Sequence, residues 1–261
     1  MSLSARLREF AEVPARFVEA PSGTAVEKFA DERVCIVQGA TWAVISGVNT
    51  TAEDLDDLVT DVRRRVPLDK EPSWDIGPST RPVDAHQQLE RRGLRTPRDG
   101  HSTVFALALV DEPDAPEDVE VHRIESFEQF KSARELSWEA FDLPEDRRAK
   151  NRARLAQDFE EQSRVRVPVE FFATLDGKPA GIAAAIPSDR GVFLIGGATA
   201  AWARGRGLYR ALVRARWEYA VDLGTPALVT HAVPETSYPI LRRLGFLEVC
   251  QIRRLEDRAP A

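Results

Sequence analysis

Hydrophobic positions in the second half of the chain alternate between the spacing typical of strands and the spacing typical of helices. The predicted order is β-α-α-β-β-β-α-β-α-β. The predicted strands are 119–124, 169–175, 180–187, 192–199, 227–233 and 246–255. The predicted helices are 127–141, about 145–162, 208–223 and 237–244. Asp176-Gly177, between two apolar runs, predicts a tight hairpin turn.

The first half carries fewer elements. Strands are predicted at 33–37, 40–46 and 103–110, and helices at 51–65 and 83–92. Thr51 is the expected N-cap of the first of these helices. The sequence of helix, Gly93-Leu94, loop and strand resembles the helix, Gly245-Phe246 and strand at the end of the chain. This repetition favours a degenerate internal duplication.

An acidic segment with two prolines, residues 111–118, lies between these halves and predicts an interdomain linker. The expected domains are therefore 1–110 and 119–261.

Composition and charge exclude several classes of protein. The chain has 261 residues with a formal net charge of -6, which argues against nucleic acid as the main partner. No apolar run approaches the roughly 18 residues that cross a bilayer, and the N-terminus lacks the pattern of a secretory signal, so a cytoplasmic location is expected. Cys35 and Cys250 are the two cysteines, and their spacing indicates neither a disulfide framework nor a metal site.

The connection between strand 192–199 and helix 208–223 carries the candidate chemistry. It contains Arg204-Gly205-Arg206-Gly207 directly before the helix. The first N–H groups of a helix have no partner inside it, and the helix dipole adds positive charge there, so an anion is favoured. Glycine lets an anion approach the backbone closely, and the two arginines add charge. The pattern predicts a pyrophosphate site.

Other phosphate motifs fit this segment poorly. A P-loop requires Gly-Lys-Ser/Thr and a dinucleotide fingerprint requires Gly-x-Gly-x-x-Gly, whereas Leu208, Tyr209 and Arg210 follow Gly207 here. A purely structural interpretation stays open, in which the glycines shape the turn and the arginines are solvated.

Residues 119–256 resemble the GNAT superfamily of N-acetyltransferases. The family's Arg/Gln-x-x-Gly-x-Gly/Ala turn matches at Arg204 to Leu208, while Tyr209 departs at the final small position. The resemblance implies a mixed, mostly antiparallel α/β sheet flanked by helices, preceded by a smaller degenerate GNAT-like half. It also implies an acetyl-coenzyme A site formed by Gly197, Ala198, Thr199, Arg204, Gly205, Arg206, Gly207, Leu208 and Tyr209.

Catalytic residues are less defined. Many family members have a Tyr three residues before the Leu of Leu244-Gly245-Phe246, but this chain has Leu241 there. Tyr238, one helical turn earlier, is the candidate substitute, with a packed surface aromatic as the alternative. His231 is a candidate base with a near-neutral pKa, although a lone His in an apolar strand is also typical of a core residue. Glu235 is a further candidate.

The expected function is transfer of an acetyl group from acetyl-coenzyme A to an amine of a small molecule or peptide, by direct attack in a ternary complex. The alternative is a non-catalytic acyl-coenzyme A sensor. No metal and no membrane partner are expected, and the patterns leave open whether the chain is a monomer or a homodimer.

Overall fold

A computed structural model describes residues 3–20, 25–70, 72–97, 101–116, 118–165 and 167–258. The helices are α1 (Ala5–Glu12), α2 (Pro14–Phe17), α3 (Leu55–Arg65), α4 (Ala85–Arg91), α5 (Phe127–Ala140), α6 (Glu145–Arg152), α7 (Leu155–Val165), α8 (Leu208–Asp222) and α9 (Ser237–Arg243). The strands are β1 (Glu27–Ala30), β2 (Cys35–Gln38), β3 (Ala43–Ser46), β4 (Ser73–Ile76), β5 (Thr103–Leu109), β6 (Glu120–Arg123), β7 (Val169–Leu175), β8 (Lys178–Ser188), β9 (Gly191–Thr199), β10 (Leu228–Ala232) and β11 (Leu247–Glu256).

The chain forms two compact units. Unit 1 combines Met1–Ala108 with His231–Ala261, and unit 2 is Leu109–Thr230. The sequence-based division assigned the last thirty or so residues to the second domain. They group with unit 1 because β11 pairs antiparallel with both β4 and β5.

Unit 1 is built on strands in the order β1-β2-β3-β4-β11-β5. The pair β3 and β4 is parallel, and the other pairs are antiparallel. The apolar face of α3, including Leu55 and Leu58, packs in one core with Ile45 and the fully buried Trp74.

Unit 2 has the strand order β10-β9-β8-β7-β6, with β9 and β10 parallel and the other pairs antiparallel. A capping box of Ser126 and Gln129 begins α5. Phe130 of α5 packs with Trp138 and with Leu155 of α7 in one apolar cluster. Mixed, mostly antiparallel sheet with flanking helices is therefore confirmed in both units.

Two sequence-based boundaries change. The helix predicted at about 145–162 is two helices, α6 and α7, with a break at 153–154. Thr51 is not the N-cap of α3, because the helix begins later and Asp54 takes the N-cap position. The Thr51 hydroxyl instead accepts from the Asp54 backbone N–H at 3.1 Å and donates to Oδ2 of Asp54 at 2.7 Å.

The predicted linker 111–118 includes position 117, which lies outside the described residues. Its preceding part is attached to α8 within unit 2. Arg214 forms an ion pair with Glu112, and its Nη1 donates to the Pro113 carbonyl at 3.2 Å. Across the described ranges, no helix is long and apolar enough to span a bilayer.

Candidate functional site

The connection from β9 to α8 is a tight turn with two left-handed glycines. A short 3-10 turn over Ala201–Ala203 follows β9, and α8 then begins at Leu208. Gly205 has φ 76° and Gly207 has φ 82°, a region that glycine adopts without steric cost. We call residues 204–209 the glycine turn.

The start of α8 within the glycine turn is open to an anion. Gly207 is the N-cap and supplies no capping side chain, and the first turn of the helix contains no acidic residue. The N–H groups of the first helical turn have no partners inside the helix. Arg204 and Arg206 are exposed on either side of Gly205. Backbone donors, helix dipole and two cations therefore favour a bound anion at this point.

The body of α8 fixes the turn onto the sheet of unit 2. Leu208 is 1% exposed, so the first residue of the helix is already in the core. The following buried positions recur at helical spacing and face inward: Ala211, Leu212, Ala220 and others on the same face. The turn is consequently held by packing as well as by its own dihedral angles.

A β-bulge interrupts β9 just before the turn. Ala184 of β8 pairs with Ile195, and Ile182 pairs with Ala198, so Gly196 and Gly197 together oppose a single residue of β8. Gly196 has φ 59°. A bulge of this kind frees backbone groups from the ladder and redirects the strand, and bulges are enriched beside functional sites.

The other edge of β9 is paired over a short length. Its recorded partners in β10 are Leu228 with Val192 and Val229 with Phe193, and no register between β10 and residues 194–199 is present in the described chain. The Thr230 hydroxyl donates to the Leu194 carbonyl at 3.1 Å, at the point where the pairing ends. The recorded pairing of β9 with β10 therefore ends before Gly197, Ala198 and Thr199.

Tyr209 occupies the space left by Gly197. A Cβ atom at Gly197 would lie 3.0 Å from Cε2 of Tyr209 and 3.6 Å from its hydroxyl oxygen. This contact explains how a large side chain fits at position 209 without displacing the turn: the matching position on β9 has no side chain. The nine residues predicted to bind the cofactor are therefore brought together in unit 2.

The candidate catalytic residues belong to unit 1. The Tyr238 hydroxyl donates to Oε2 of Glu248 at 2.5 Å, and its ring centroid is 4.4 Å from that of Phe105. The hydrogen bond to the Glu248 carboxylate raises the pKa of Tyr238. The hydrogen bond from Tyr238 to Glu248 therefore disfavours the phenolate form of Tyr238. Glu235 is exposed in the turn before α9.

His231 is a largely buried residue, with a side chain 12% exposed, and it has structural partners. Its Nε2 lies 3.0 Å from the carbonyl oxygen of Ala11, and its Nδ1 lies 4.0 Å from Oδ2 of Asp75. Asp75 in turn accepts from Nε of Arg254 at 2.9 Å. Burial is the largest cause of the lowered pKa of His231, so the ring is held neutral near pH 7.

An open groove of about 700 Å³ lies on unit 2. Trp202, in the connection from β9 to α8, is 55% exposed and contributes to it. Glu135, another lining residue, is held by Arg152 at 2.7 Å, and this hydrogen bond lowers the pKa of Glu135. The lining residues are Glu128, Lys131, Ser132, Glu135, Leu136, Glu139, Lys178, Pro179 and Trp202.

Sequence comparison with known families and with curated proteins finds no match. Solved structures do match. A GCN5-related N-acetyltransferase from Kribbella flavida superposes with a TM-score of 0.67 and 16% identity, over 100% of this chain and 97% of that one. A tandem GNAT protein from the clavulanic acid biosynthesis pathway superposes with a TM-score of 0.60 and 14% identity, over 98% of this chain and 88% of that one. This chain has the tandem GNAT fold.

The GNAT fold confirms the resemblance that the sequence suggested, at the level of architecture. A GCN5-related N-acetyltransferase from Sphaerobacter thermophilus also matches along 100% of the chain, with a TM-score of 0.55 and 14% identity. At such identities the likeness concerns the fold, and the chemistry of this chain has to be argued from its own residues.

The sequence patterns did not identify Gly196 as part of a β-bulge or Arg216 as a buried arginine. The Gly196-Gly197 pair inside an apolar strand was an available signal, because glycine within a strand often marks a bulge. Arg216 gave no such signal, since an arginine within a helix is ordinarily exposed.

Proposed function

We propose that the chain binds acetyl-coenzyme A at the glycine turn and transfers the acetyl group to an amine of a small molecule or peptide. The observation that carries this proposal is the glycine turn itself: an uncapped helix start, flanked by two exposed arginines, directly after a bulged and partly unpaired strand. The pyrophosphate would bind the N–H groups of the turn, and the pantetheine arm would follow residues 197–199.

The donor set and the available space suit a pyrophosphate. A Cβ atom at Gly205 would have no atom within 4 Å, so space is open on that side of the turn. Hydrogen bonds to a charged group contribute roughly 1.5 to 3 kcal/mol each. Two or three of them would supply about half of the roughly 8 kcal/mol that micromolar binding requires. Adenine and pantetheine contacts would supply the rest.

The transfer would proceed by direct attack of the amine on the thioester carbonyl. Both cysteines are poor candidates for an acyl-enzyme. Burial raises the pKa of Cys35, and it raises that of Cys250 to about 12, so both remain thiols near pH 7. A ternary complex therefore remains the simplest reaction scheme. Tyr238, His231 and Glu235 stay candidates for proton transfer within it.

The two halves would differ in role. Residues 119–230, which include the glycine turn, would hold acetyl-coenzyme A, and residues 1–110 would be a degenerate GNAT-like half whose sheet residues 231–261 complete.

A non-catalytic acyl-coenzyme A-binding module is the second candidate. Leu241, which replaces the tyrosine common in the family, is 1% exposed and packs in the core. Tyr238 is bound to Glu248. Both observations favour a protein that retains the cofactor site without the usual proton donor.

Turnover separates the two candidates. Acetyl-coenzyme A would be incubated with the protein and a panel of small amines and N-terminal peptides, and release of free thiol would be followed. We expect amine-dependent thiol release that the Gly205→Asp variant lacks and the Gly205→Asn variant retains. Tight binding of acetyl-coenzyme A with no amine-dependent release would support the binding module instead.

A further inference from the structure

Arg216 is a buried cation in the middle of α8. Its side chain is 1% exposed. Nε donates to the Leu212 carbonyl at 2.9 Å, and Nη1 donates to the Ala184 carbonyl on β8 at 3.4 Å. Within the part of the chain that the structure describes, Nη2 has no hydrogen-bond partner. The polar side chain that favours its charged form is Tyr209, and none of the described carboxylates does so.

A charge in this position is costly. Burial lowers the pKa of Arg216, and the adjacent Tyr209 hydroxyl opposes that shift. Replacing a buried ion by an apolar side chain of similar volume is often neutral or stabilising. Packing alone therefore gives no reason for arginine here. An incompletely bonded cation does, however, project positive potential into its surroundings, where the dielectric constant is low.

Tyr209 connects this charge to the bulge in β9. Tyr209 and Arg216 are separated by seven residues, or two turns, so they share one face of α8. The Tyr209 hydroxyl lies 3.6 Å from the position that a Cβ atom of Gly197 would occupy. Tyr209 is half-buried as a residue, whereas Arg216 is buried.

We propose that the Tyr209 hydroxyl is the hydrogen-bond and proton donor for the coenzyme A sulfur, and that the buried Arg216 guanidinium positions and polarises it. This inference rests on the proposed function, in which the acyl-pantetheine arm follows residues 197–199. It assigns the proton donor to the helix of the glycine turn in unit 2 and not to Tyr238 of unit 1.

The transfer step balances with this donor. The amine nitrogen attacks the acetyl carbonyl carbon, a C–N bond forms, and the C–S bond breaks with its electron pair moving to sulfur. The Tyr209 O–H proton passes to the sulfur and gives the free thiol. The tyrosinate then takes the proton that the acylated nitrogen releases. Arg216 stabilises the transient negative charge on the phenol oxygen, a preorganised electrostatic role.

Binding of coenzyme A tests this inference without any knowledge of the acceptor. The dissociation constants of coenzyme A and of desulfo-coenzyme A, which lacks the terminal sulfur, would be measured by calorimetry from about pH 6 to about pH 9. The thiol of a free cysteine has a pKa of about 8.5, and the alkyl thiol of coenzyme A ionises no more readily. If Tyr209 stabilises the bound thiolate, the bound pKa is lower, so affinity for coenzyme A rises with pH between the two values and is constant above the higher one.

We expect the wild-type affinity for coenzyme A to rise by about ten- to a hundredfold over this range, as one charge-assisted hydrogen bond permits. The affinity for desulfo-coenzyme A should not follow this rise. Tyr209→Phe should remove the rise in affinity for coenzyme A. Arg216→Met should reduce the rise, and Arg216→Lys should restore part of it.

An equal rise in wild type and Tyr209→Phe would overturn the role of Tyr209. An unchanged rise in folded Arg216→Met, verified by thermal unfolding, would overturn the role of Arg216. Because Phe keeps the ring that packs on Gly197, the Tyr209 test holds even if Arg216→Met does not fold. Failure of the wild type to bind either coenzyme would instead overturn the proposed function, and this inference with it.

Discussion

The two units begin a helix after a similar connection, yet the two helix starts carry opposite charge. In both units a strand leads through a turn into a helix, and the next strand pairs in parallel with the first: β3, α3 and β4 in unit 1, β9, α8 and β10 in unit 2. The first turn of α3 contains Asp56 and Asp57, with Asp54 at the N-cap. The first turn of α8 contains no acidic residue and follows Arg204 and Arg206.

The difference explains why one unit is a candidate site and the other is not. The carboxylates of α3 already complement its dipole, and they would repel a phosphate. The turn before α3 is also occupied by a side chain of the protein itself, because Nη2 of Arg16 donates to the Gly47 carbonyl at 3.1 Å. In unit 2 the corresponding positions are glycines and arginines, and the anion has to come from a ligand. Both units thus have a helix N-terminus after a strand, and in unit 2 that N-terminus has no acidic side chain of its own in the first turn.

Reversing the charge of the glycine turn should have the largest effect. The double variant Arg204→Glu with Arg206→Glu should weaken acetyl-coenzyme A binding by more than about 100-fold, because two attractive interactions with the pyrophosphate become repulsive. The measurement is calorimetric titration. Arg64→Glu with Arg91→Glu, two exposed reversals on α3 and α4 of unit 1, changes the net charge by the same amount and is the matched control, which should bind as wild type. Equal losses in both variants would mean that net charge, and not the turn, governs binding.

Filling the space between β9 and α8 should have the next largest effect. Gly197→Ala places a Cβ atom 3.0 Å from the Tyr209 ring and should lower the free energy of unfolding by about 1 to 3 kcal/mol. In a Tyr209→Ala background the same substitution should cost much less, since the opposing ring is gone. Denaturant unfolding of the four proteins gives the coupling energy. Strictly additive effects would contradict the packing of Tyr209 on Gly197.

The pH dependence of stability should reveal the burial of the neutral His231 ring in the folded protein. Because burial lowers the pKa of His231 in the folded protein, the unfolded chain binds the proton more readily. The contribution to stability is complete above the ordinary pKa of about 6.5 and is lost as the pH falls below it. His231→Gln should remove this part of the slope while keeping acetyl-coenzyme A binding. Identical slopes for the two proteins would contradict the assignment.

Changes at the start of α3 should have the smallest effect. Asp56→Asn should lower the free energy of unfolding by about 0.3 to 1 kcal/mol, because an exposed carboxylate near a helix N-terminus contributes about that much. It should leave acetyl-coenzyme A affinity unchanged, with one molecule bound per chain. A second bound molecule in this variant would contradict the contrast between the two units.

The sequence predicted the elements that are determined by residues close together along the chain. Asp176 and Gly177 adopt φ of 52° and 71°, as a tight hairpin turn requires. The helix α8 begins and ends within one residue of its predicted bounds, because its apolar face is continuous and Gly224 follows it. The glycine turn was visible for the same reason: its residues are adjacent in sequence.

Elements that depend on distant partners were not visible. Strand β4 has only four residues and a central Asp75, whose carboxylate is paired with Arg254 of β11 at 2.9 Å. The grouping of 231–261 with unit 1 likewise depends on strand pairing across most of the chain. The helix α1 has eight residues, and its buried face consists of only three apolar side chains. Neither length nor periodicity identifies such elements.

The most direct measurement of the central claim is titration of acetyl-coenzyme A into wild type, Gly205→Asp and Gly205→Asn. Gly205 is the appropriate position because a Cβ atom there meets nothing within 4 Å, whereas one at Gly207 would lie 2.7 Å from Pro116. Asp and Asn have nearly the same shape and both tolerate a left-handed backbone, so the pair differs in charge alone. Micromolar binding in wild type, retained in Gly205→Asn and weakened about 100-fold in Gly205→Asp, is the predicted result. Equal binding by the two variants, or none by the wild type, would contradict a pyrophosphate site at the glycine turn.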